Sequence, residues 1–360
     1  MTPLTSRVVI ASAGSGKTTW VVGDALGCQG RTAVVSYSNN NTRKIREKFA
    51  ELAHAVPERV TVDTWLSFQL RELVRPYQNV FRNERIAELH LVNGVSARYA
   101  KQNTHPYFFD SQGRLYSDKL SAFALLCNTL SKGRVFNRVK ALYKCIYIDE
   151  VQDLAGYDLD LLEAAMRAGV SLRMVGDNRQ ATYATNNSPK NRAFRGPQIV
   201  KKFLAWKKAG LCDVTSHAWS HRCNQGICNV ADALFPDCEP CTSKATGTCE
   251  HAGVFLVEEG LVDRYVASYQ PQVLVWSKAD GHAALNFGDS KGLEFPHVLI
   301  VPTGPIGKWL RSGDPSAIES DISRAKLYVA ITRARHSVAF VYDGKSALSG
   351  VRRLTSGDLT

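Results

Sequence analysis

Short stretches of this chain hold residues whose types and spacing suit phosphate chemistry. In ASAGSGKTTW, Ala11 to Trp20, glycines at 14 and 16 precede a lysine and two threonines. Glycine takes positive φ without steric cost, so Gly14 and Gly16 let the backbone turn its N–H groups toward phosphate oxygens. Lys17 can reach the terminal phosphates, and Thr18 offers a hydroxyl to Mg²⁺. The expected ligand is a nucleoside triphosphate, cradled by Ala13, Gly14, Ser15, Gly16, Lys17, Thr18 and Thr19. The usual pattern has Gly where this chain has Ala11; an incidental Gly/Ser turn with a nearby lysine is the plain alternative.

A second chemical signal lies in CIYIDEVQDL. Cys145 to Ile148 read as a buried strand, and Asp149 and Glu150 follow at its C-terminal end, where open α/β sheets place their ligands. Asp149 suits Mg²⁺ held through water, and Glu150 suits the orientation or deprotonation of an attacking water. Alone, such a pair could simply begin a helix with solvated carboxylates. Beside a phosphate-binding turn, it reads as hydrolytic.

These groups need a strand before the turn, supplied by Val8 to Ile10, and a helix after it. Further strand-like runs at Val298 to Val301 and SVAFVYD, with a helical AKLYVAITRAR, continue the alternation of α and β. The chain has 360 residues, 44% of them hydrophobic, which is enough for more than one packed core. A formal charge of +12 favours a polyanionic partner, because basic surface attracts phosphate backbones. No apolar run is long enough to span a bilayer and no secretory signal opens the sequence. A cytoplasmic location, no membrane partner and nine cysteines kept as thiols are therefore expected.

ASAGSGKT, YIDEVQDL, MVGDNRQATY, SKGLEF and LYVAITRAR stand in the order found in superfamily 1 helicases of the UvrD/Rep type, and the chain resembles that family from residue 5 to 345. The short stretch between Arg222 and Lys291 makes it similar to a trimmed member, without the large second-lobe insertion. The resemblance implies an α/β fold of two RecA-like P-loop NTPase lobes with parallel sheets and a nucleotide between them. The first lobe would take residues 1–75 and 134–205, with a small, partly helical insertion at 76–133. The second would take 206–360, with a Cys-rich loop at 236–252.

Residue roles carry over by position. Gln152 and Gln180 match glutamines that link hydrolysis to the strand-binding surface and sense the γ-phosphate. Arg222 and Arg333 match arginines that the second lobe points at that phosphate, where planar guanidinium groups suit spreading transition-state charge. Glu294 matches a residue near the ribose and phosphates. His221 stands where the family often has a Tyr stacked on the base. None of the ten residues before Ala11 is Gln. Adenine recognition is thus expected to come from elsewhere, with ATP the expected nucleotide and relaxed base selectivity an alternative.

The strand track resembles the family less closely. Tyr37 fills the position of a base-stacking aromatic, with Asn39 beside it for phosphate, and core packing of Tyr37 is the alternative. Thr64 and Trp65 fall in the next strand-contacting motif, where Leu66 replaces the common His and Trp65 is either core or contact. Tyr183 is retained, but Thr185 and Asn186 occupy the place of a stacking wedge and its following Arg. Asn286 and Gly288 replace the Thr and His that usually begin the SKGLEF motif.

The implied function is an ATP-dependent helicase or translocase on single-stranded DNA, 3′ to 5′, with DNA favoured over RNA. The missing insertion and Thr185 favour a second reading, a nucleic-acid-stimulated ATPase switch with little unwinding that works with a nuclease or repair partner. A third is an inactive nucleotide-dependent binding module. Outside the motifs, Cys238-x-x-Cys241 with Cys249-x-His251 has spacing suited to tetrahedral zinc; incidental thiols are the alternative.

Overall fold

The computed structural model describes residues 6–186, 188–247, 249–277 and 284–359. The fold is α/β and divides into two compact units. The first comprises the opening strand to Ile10, Lys17–Asn178 and Tyr183–Ser216; the second comprises Ala11–Gly16, Arg179–Thr182 and the chain from His217 onward.

The first unit is built on six strands: β1 (Ser6–Ala11), β2 (Thr32–Ser36), β3 (Val60–Thr64), β4 (Cys145–Asp149), β5 (Leu172–Gly176) and β6 (Cys212–His217). Their spatial order is β3-β2-β4-β5-β1-β6. The pairings among β1 to β5 are parallel, with Val8 opposite Met174 and Val35 opposite Ile148. Every residue of β2 and of β4 is buried, as expected for central strands covered on both faces. This is why TAVVS and CIYID read as apolar runs rather than alternating ones. Because the strands are parallel, the turns after β1 to β5 all leave at one edge of the sheet. Strand β5 lies between β1 and β4, so the segment after Gly176 emerges between the ends of those two strands.

Helix α1 (Lys17–Gly27) buries Val21, Val22 and Ala25. Helix α2 (Asn39–Ala53) is capped by Ser38, whose hydroxyl accepts the Asn41 N–H at 3.2 Å, and it stops at His54 in the left-handed region. The first unit extends to Ser216, and β6 lies in its sheet.

Residues 76–133 carry a helix, Leu120–Leu130, and a short parallel pair, Leu89–His90 with Leu115–Tyr116. Phe81, Phe108, Phe109 and Phe123 meet there in edge-on and stacked contacts 4.9–6.4 Å between centroids. This aromatic cluster is continuous with the core formed by Val35, Trp65, Phe68 and Ile148. The insertion therefore shares the hydrophobic core of the first unit.

The second unit repeats the plan with β7 (Gly253–Val257), β8 (Gln272–Val275), β9 (Leu285–Asn286), β10 (Phe295–Ile300), β11 (Ala334–Val341) and β12 (Val351–Arg353), ordered β9-β8-β10-β11-β7-β12. All of its pairings are parallel. Trp309, Phe340, Phe287 and the helix Asp321–Ile331 fill its core. Among the described residues no helix is long and apolar enough to cross a membrane, and no cysteine is in a disulfide.

Candidate nucleotide site and nucleic-acid face

In the first unit the chemistry gathers where β4 ends. Lys17 and Thr18 open α1, and the Thr18 hydroxyl donates to Asp149 Oδ2 at 3.3 Å. Thr19 lies exposed on the same turn. Asp149 is buried, and its Oδ1 accepts the Glu150 N–H at 3.0 Å. Burial pushes the Asp149 carboxyl well above its usual range; the charge of Glu150 adds to this, while Lys17 and Thr18 work against it. A hydroxyl and a buried carboxylate oxygen, with a second carboxylate adjacent, form a hard oxygen donor set that fits Mg²⁺.

Glu150 holds a left-handed backbone, φ 60° and ψ 42°, rare for a non-glycine residue and common where a side chain must be aimed. Gln152 fixes it: Nε2 donates to the Glu150 carboxylate, and Oε1 accepts the Asp177 N–H at 3.1 Å. Gly176 makes room for this bridge, since a Cβ there would lie 2.2 Å from Gln152 Oε1.

In the second unit, Gly14 and Gly16 take φ of 71° and 85°. A Cβ on Gly14 would stand 2.6 Å from Ser220 Oγ and 2.7 Å from Arg222 Cβ, whereas Gly16 faces open space. The Gly14 carbonyl accepts the His221 N–H at 2.8 Å, and the Ala13 N–H points to the Tyr328 hydroxyl at 3.5 Å. Ser15 Oγ is buried without a hydrogen-bond partner among the described residues, a polar atom that a phosphate oxygen would satisfy. Arg179, which the motifs did not single out, steadies the turn: it donates to Ser12 Oγ at 2.6 Å, pairs with Asp232 at 2.8 Å and lies over the Tyr328 ring. Gln180 is buried beside it in the turn Asn178–Gln180.

A pocket of about 460 Å³ in this unit is lined by Gly14, Gly16, His221, Arg222, Glu294 and Arg335, among others. Glu294 accepts from Arg222 Nε at 3.0 Å and pairs with Arg335 as well. Partial burial would raise its pKa, but the two guanidinium groups hold its carboxyl below the usual range. Arg222 also donates to the Thr332 carbonyl at 3.1 Å. Arg333, expected to face the γ-phosphate, is held by backbone carbonyls. That side chain is buried and donates to the carbonyls of Val329 and Leu293 at 3.0 and 3.1 Å, while Arg335 lines the pocket.

The residues expected to contact a strand lie in the first unit. Tyr37 follows β2 and is half-buried, its phenol pKa raised by burial and then by Asp158 and Asp153. Asn39 is exposed at the start of α2, Thr64 caps the helix Trp65–Phe68, and Tyr183 is exposed. Of the two alternatives for Trp65, the side chain takes the core one: it is buried, stacks on Phe68 and donates its indole N–H to Asp158 at 3.0 Å. The buried Asp158 also accepts from Ser121 and Thr185. Thr185 thus ties its loop inward, and its Oγ1 accepts the Ala155 N–H at 3.0 Å.

The zinc expectation is also corrected. Among the described residues no group of three or more His, Cys, Asp or Glu is placed to hold a metal ion. His251 stacks between Tyr269 and Phe255, 3.6 and 4.4 Å between centroids, with Nε2 2.9 Å from the Tyr265 hydroxyl. Burial, then the charges of His297 and Arg352, push its pKa down to about 4. The Cys241 and Cys228 thiols are buried, the latter donating to the Cys223 carbonyl at 3.7 Å, while Cys238 and Cys249 are half-exposed.

None of the curated proteins matches this sequence. Among solved structures, the chain is similar to the Arterivirus nonstructural protein 10 helicase at 16% identity and TM-score 0.48, covering 96% of this chain and 61% of that one. The same protein in complex with DNA aligns at 15% identity and TM-score 0.47, over 93% and 60%. The PRRSV helicase aligns at 17% and 0.47, over 96% and 55%. This chain thus spans no more than 61% of the length of these helicases. The AAA domain profile matches residues 2–186, just over half of the chain, and covers the phosphate-binding turn, Asp149, Glu150 and Gln180. The chain belongs to the AAA domain family.

Proposed function

We propose that the chain is an ATP-driven motor of the UvrD/Rep type that moves along single-stranded DNA, 3′ to 5′, and separates strands. The observation that carries this reading is the bridge from Glu150 through Gln152 to the Asp177 N–H. It connects the hydrolytic carboxylate to the segment leading to Tyr183, so the state of the phosphates and the face offered to a strand share one hydrogen-bonded link.

In this reading Lys17 neutralises the terminal phosphates, and Thr18 and Asp149 hold Mg²⁺, which supplies charge neutralisation of the phosphates when bound. Glu150, aimed by its backbone and by Gln152, takes a proton from the attacking water as the bond to the γ-phosphorus forms and the bridging P–O bond breaks. The Gly14 and Gly16 backbone cradles phosphate oxygens, and Arg222 and Arg335 offset negative charge in the pocket that they line with those glycines. Tyr37 and Tyr183 offer ring faces to bases, and Asn39 a phosphate contact.

A second reading is favoured by Thr185, which is bonded inward to Asp158 where the family carries a wedge. It makes the chain a DNA-stimulated ATPase that unwinds little and acts with a nuclease or repair partner. An unwinding assay on a duplex with a 3′ single-stranded tail separates the two. ATP-dependent strand release by the isolated chain supports the motor, and strand-stimulated hydrolysis without release supports the switch.

A further inference from the structure

The insertion carries a loop that neither the nucleotide chemistry nor the family motifs use. From Leu89 to Phe109 the sequence has no acidic residue, while Arg98, Lys101 and His105 stand exposed. Between them Tyr99 is fully exposed, the most exposed large hydrophobic side chain among the described residues. A fully exposed ring with a cation on either side is available to stack on a base while its neighbours meet phosphates.

The loop is not a loose excursion. The Val92 N–H donates to Ser117 Oγ at 3.0 Å, and the Ser96 N–H and hydroxyl donate to the two carboxylate oxygens of Asp118 at 3.0 and 2.6 Å. Asp118 is buried and also pairs with Lys119, whose ammonium lies over the Tyr107 ring. At the far end the Thr104 hydroxyl closes on the Lys101 carbonyl at 2.6 Å, and His105 stacks on Phe109. Ala97 and Asn103 take left-handed backbones on either side of the tip.

The anchor has a second tenant. Asn186, three residues after Tyr183, donates its amide to the Asp118 carbonyl at 2.9 Å. The segment carrying Tyr183 and the base of the Tyr99 loop are therefore fixed to the same residue. We infer that the Tyr99 loop is a contact surface for single-stranded DNA, with Tyr99 stacking on a base and Arg98 and Lys101 holding the flanking phosphates. Aromatic rings interleaved with cations are the arrangement that binds a strand without reading its sequence. The loop would supply stacking that Thr185, bonded inward, does not.

This inference rests on the DNA-dependent reading above, and one experiment separates their failures. A fluorescein-labelled oligo-dT strand is titrated with wild type, Tyr99→Ala, Tyr99→Phe and the double variant Arg98→Gln/Lys101→Gln, each at several salt concentrations. Tyr99→Ala is expected to weaken binding about tenfold and Tyr99→Phe to retain it. The double variant should lower the log–log salt slope by about 1.4. Equal binding by wild type, Tyr99→Ala and the double variant overturns the loop's role and leaves the function reading intact. Failure of wild type to bind the strand overturns both.

Discussion

Gln152 and Asp177 are joined side chain to backbone: the amide oxygen of Gln152 accepts the Asp177 N–H at 3.1 Å, while its nitrogen donates to the Glu150 carboxylate. The bridge exists because β5 ends in a residue without a Cβ. Gly176→Ala would place a methyl 2.2 Å from Gln152 Oε1 and 3.2 Å from the Gln152 backbone nitrogen, so the amide must move. Misplacing a catalytic group by about 1 Å can cost about a hundredfold. The variant should stay folded and bind ATP with little change in KM, while kcat for ATP hydrolysis falls about tenfold to a hundredfold. Unchanged kcat would remove Gln152 from the catalytic account.

The arginines at the start of β11 have opposite environments. Arg335→Ala removes a half-exposed partner of Glu294 and is expected to leave Tm unchanged while lowering ATP turnover on the order of a hundredfold. Arg333→Ala strips donors from the carbonyls of Val329 and Leu293 and should cost about 1–3 kcal/mol of stability by denaturant titration. A stable, inactive Arg333→Ala would reverse the assignment.

The same contrast shows what can be read from the chain itself. The glycine turn and the strand before Asp149 and Glu150 are legible because their geometry is local: a few residues fix the backbone, and an apolar run fixes the strand. The direction of a side chain is not local. Whether Arg333 or Arg335 faces the pocket depends on carbonyls at 293 and 329, and whether Trp65 faces solvent depends on Asp158, 93 residues away. The Cys/His spacing misled for the same reason, since the aromatic stack around His251 comes from Phe255 and Tyr269. Asp158, Arg179 and the Tyr99 loop carried no motif. Only the absence of acids from Leu89 to Phe109 hinted at the last.

Trp65→Phe tests its placement in the core. Losing the indole N–H leaves one oxygen of the buried Asp158 short of a donor, at a cost of about 1–3 kcal/mol. Thermal denaturation should register this loss, while affinity for single-stranded DNA stays at the wild-type value. A weakened affinity with unchanged Tm would return Trp65 to the binding face.

Glu163 gives a pH-dependent prediction. Burial would raise its pKa, but Lys202 at 2.8 Å, Arg167 at 2.8 Å and the Trp206 N–H at 3.0 Å bring it down to about 2. A folded pKa below the unfolded value of about 4.3 means stability present above that value and lost as pH falls toward 2. Glu163→Gln should therefore cost about 1–2 kcal/mol at pH 7, after discounting for solvent, and the gap to wild type should shrink steadily from pH 5 to pH 3. Denaturant titrations across that range check it, and a constant gap would contradict the ion-pair account.

The most direct test of the central claim is the rate of ATP hydrolysis by the purified chain with and without single-stranded DNA, beside Lys17→Ala and Glu150→Gln. The account predicts hydrolysis that single-stranded DNA stimulates and that both substitutions abolish. Hydrolysis indifferent to the strand, or surviving in Lys17→Ala, would contradict it.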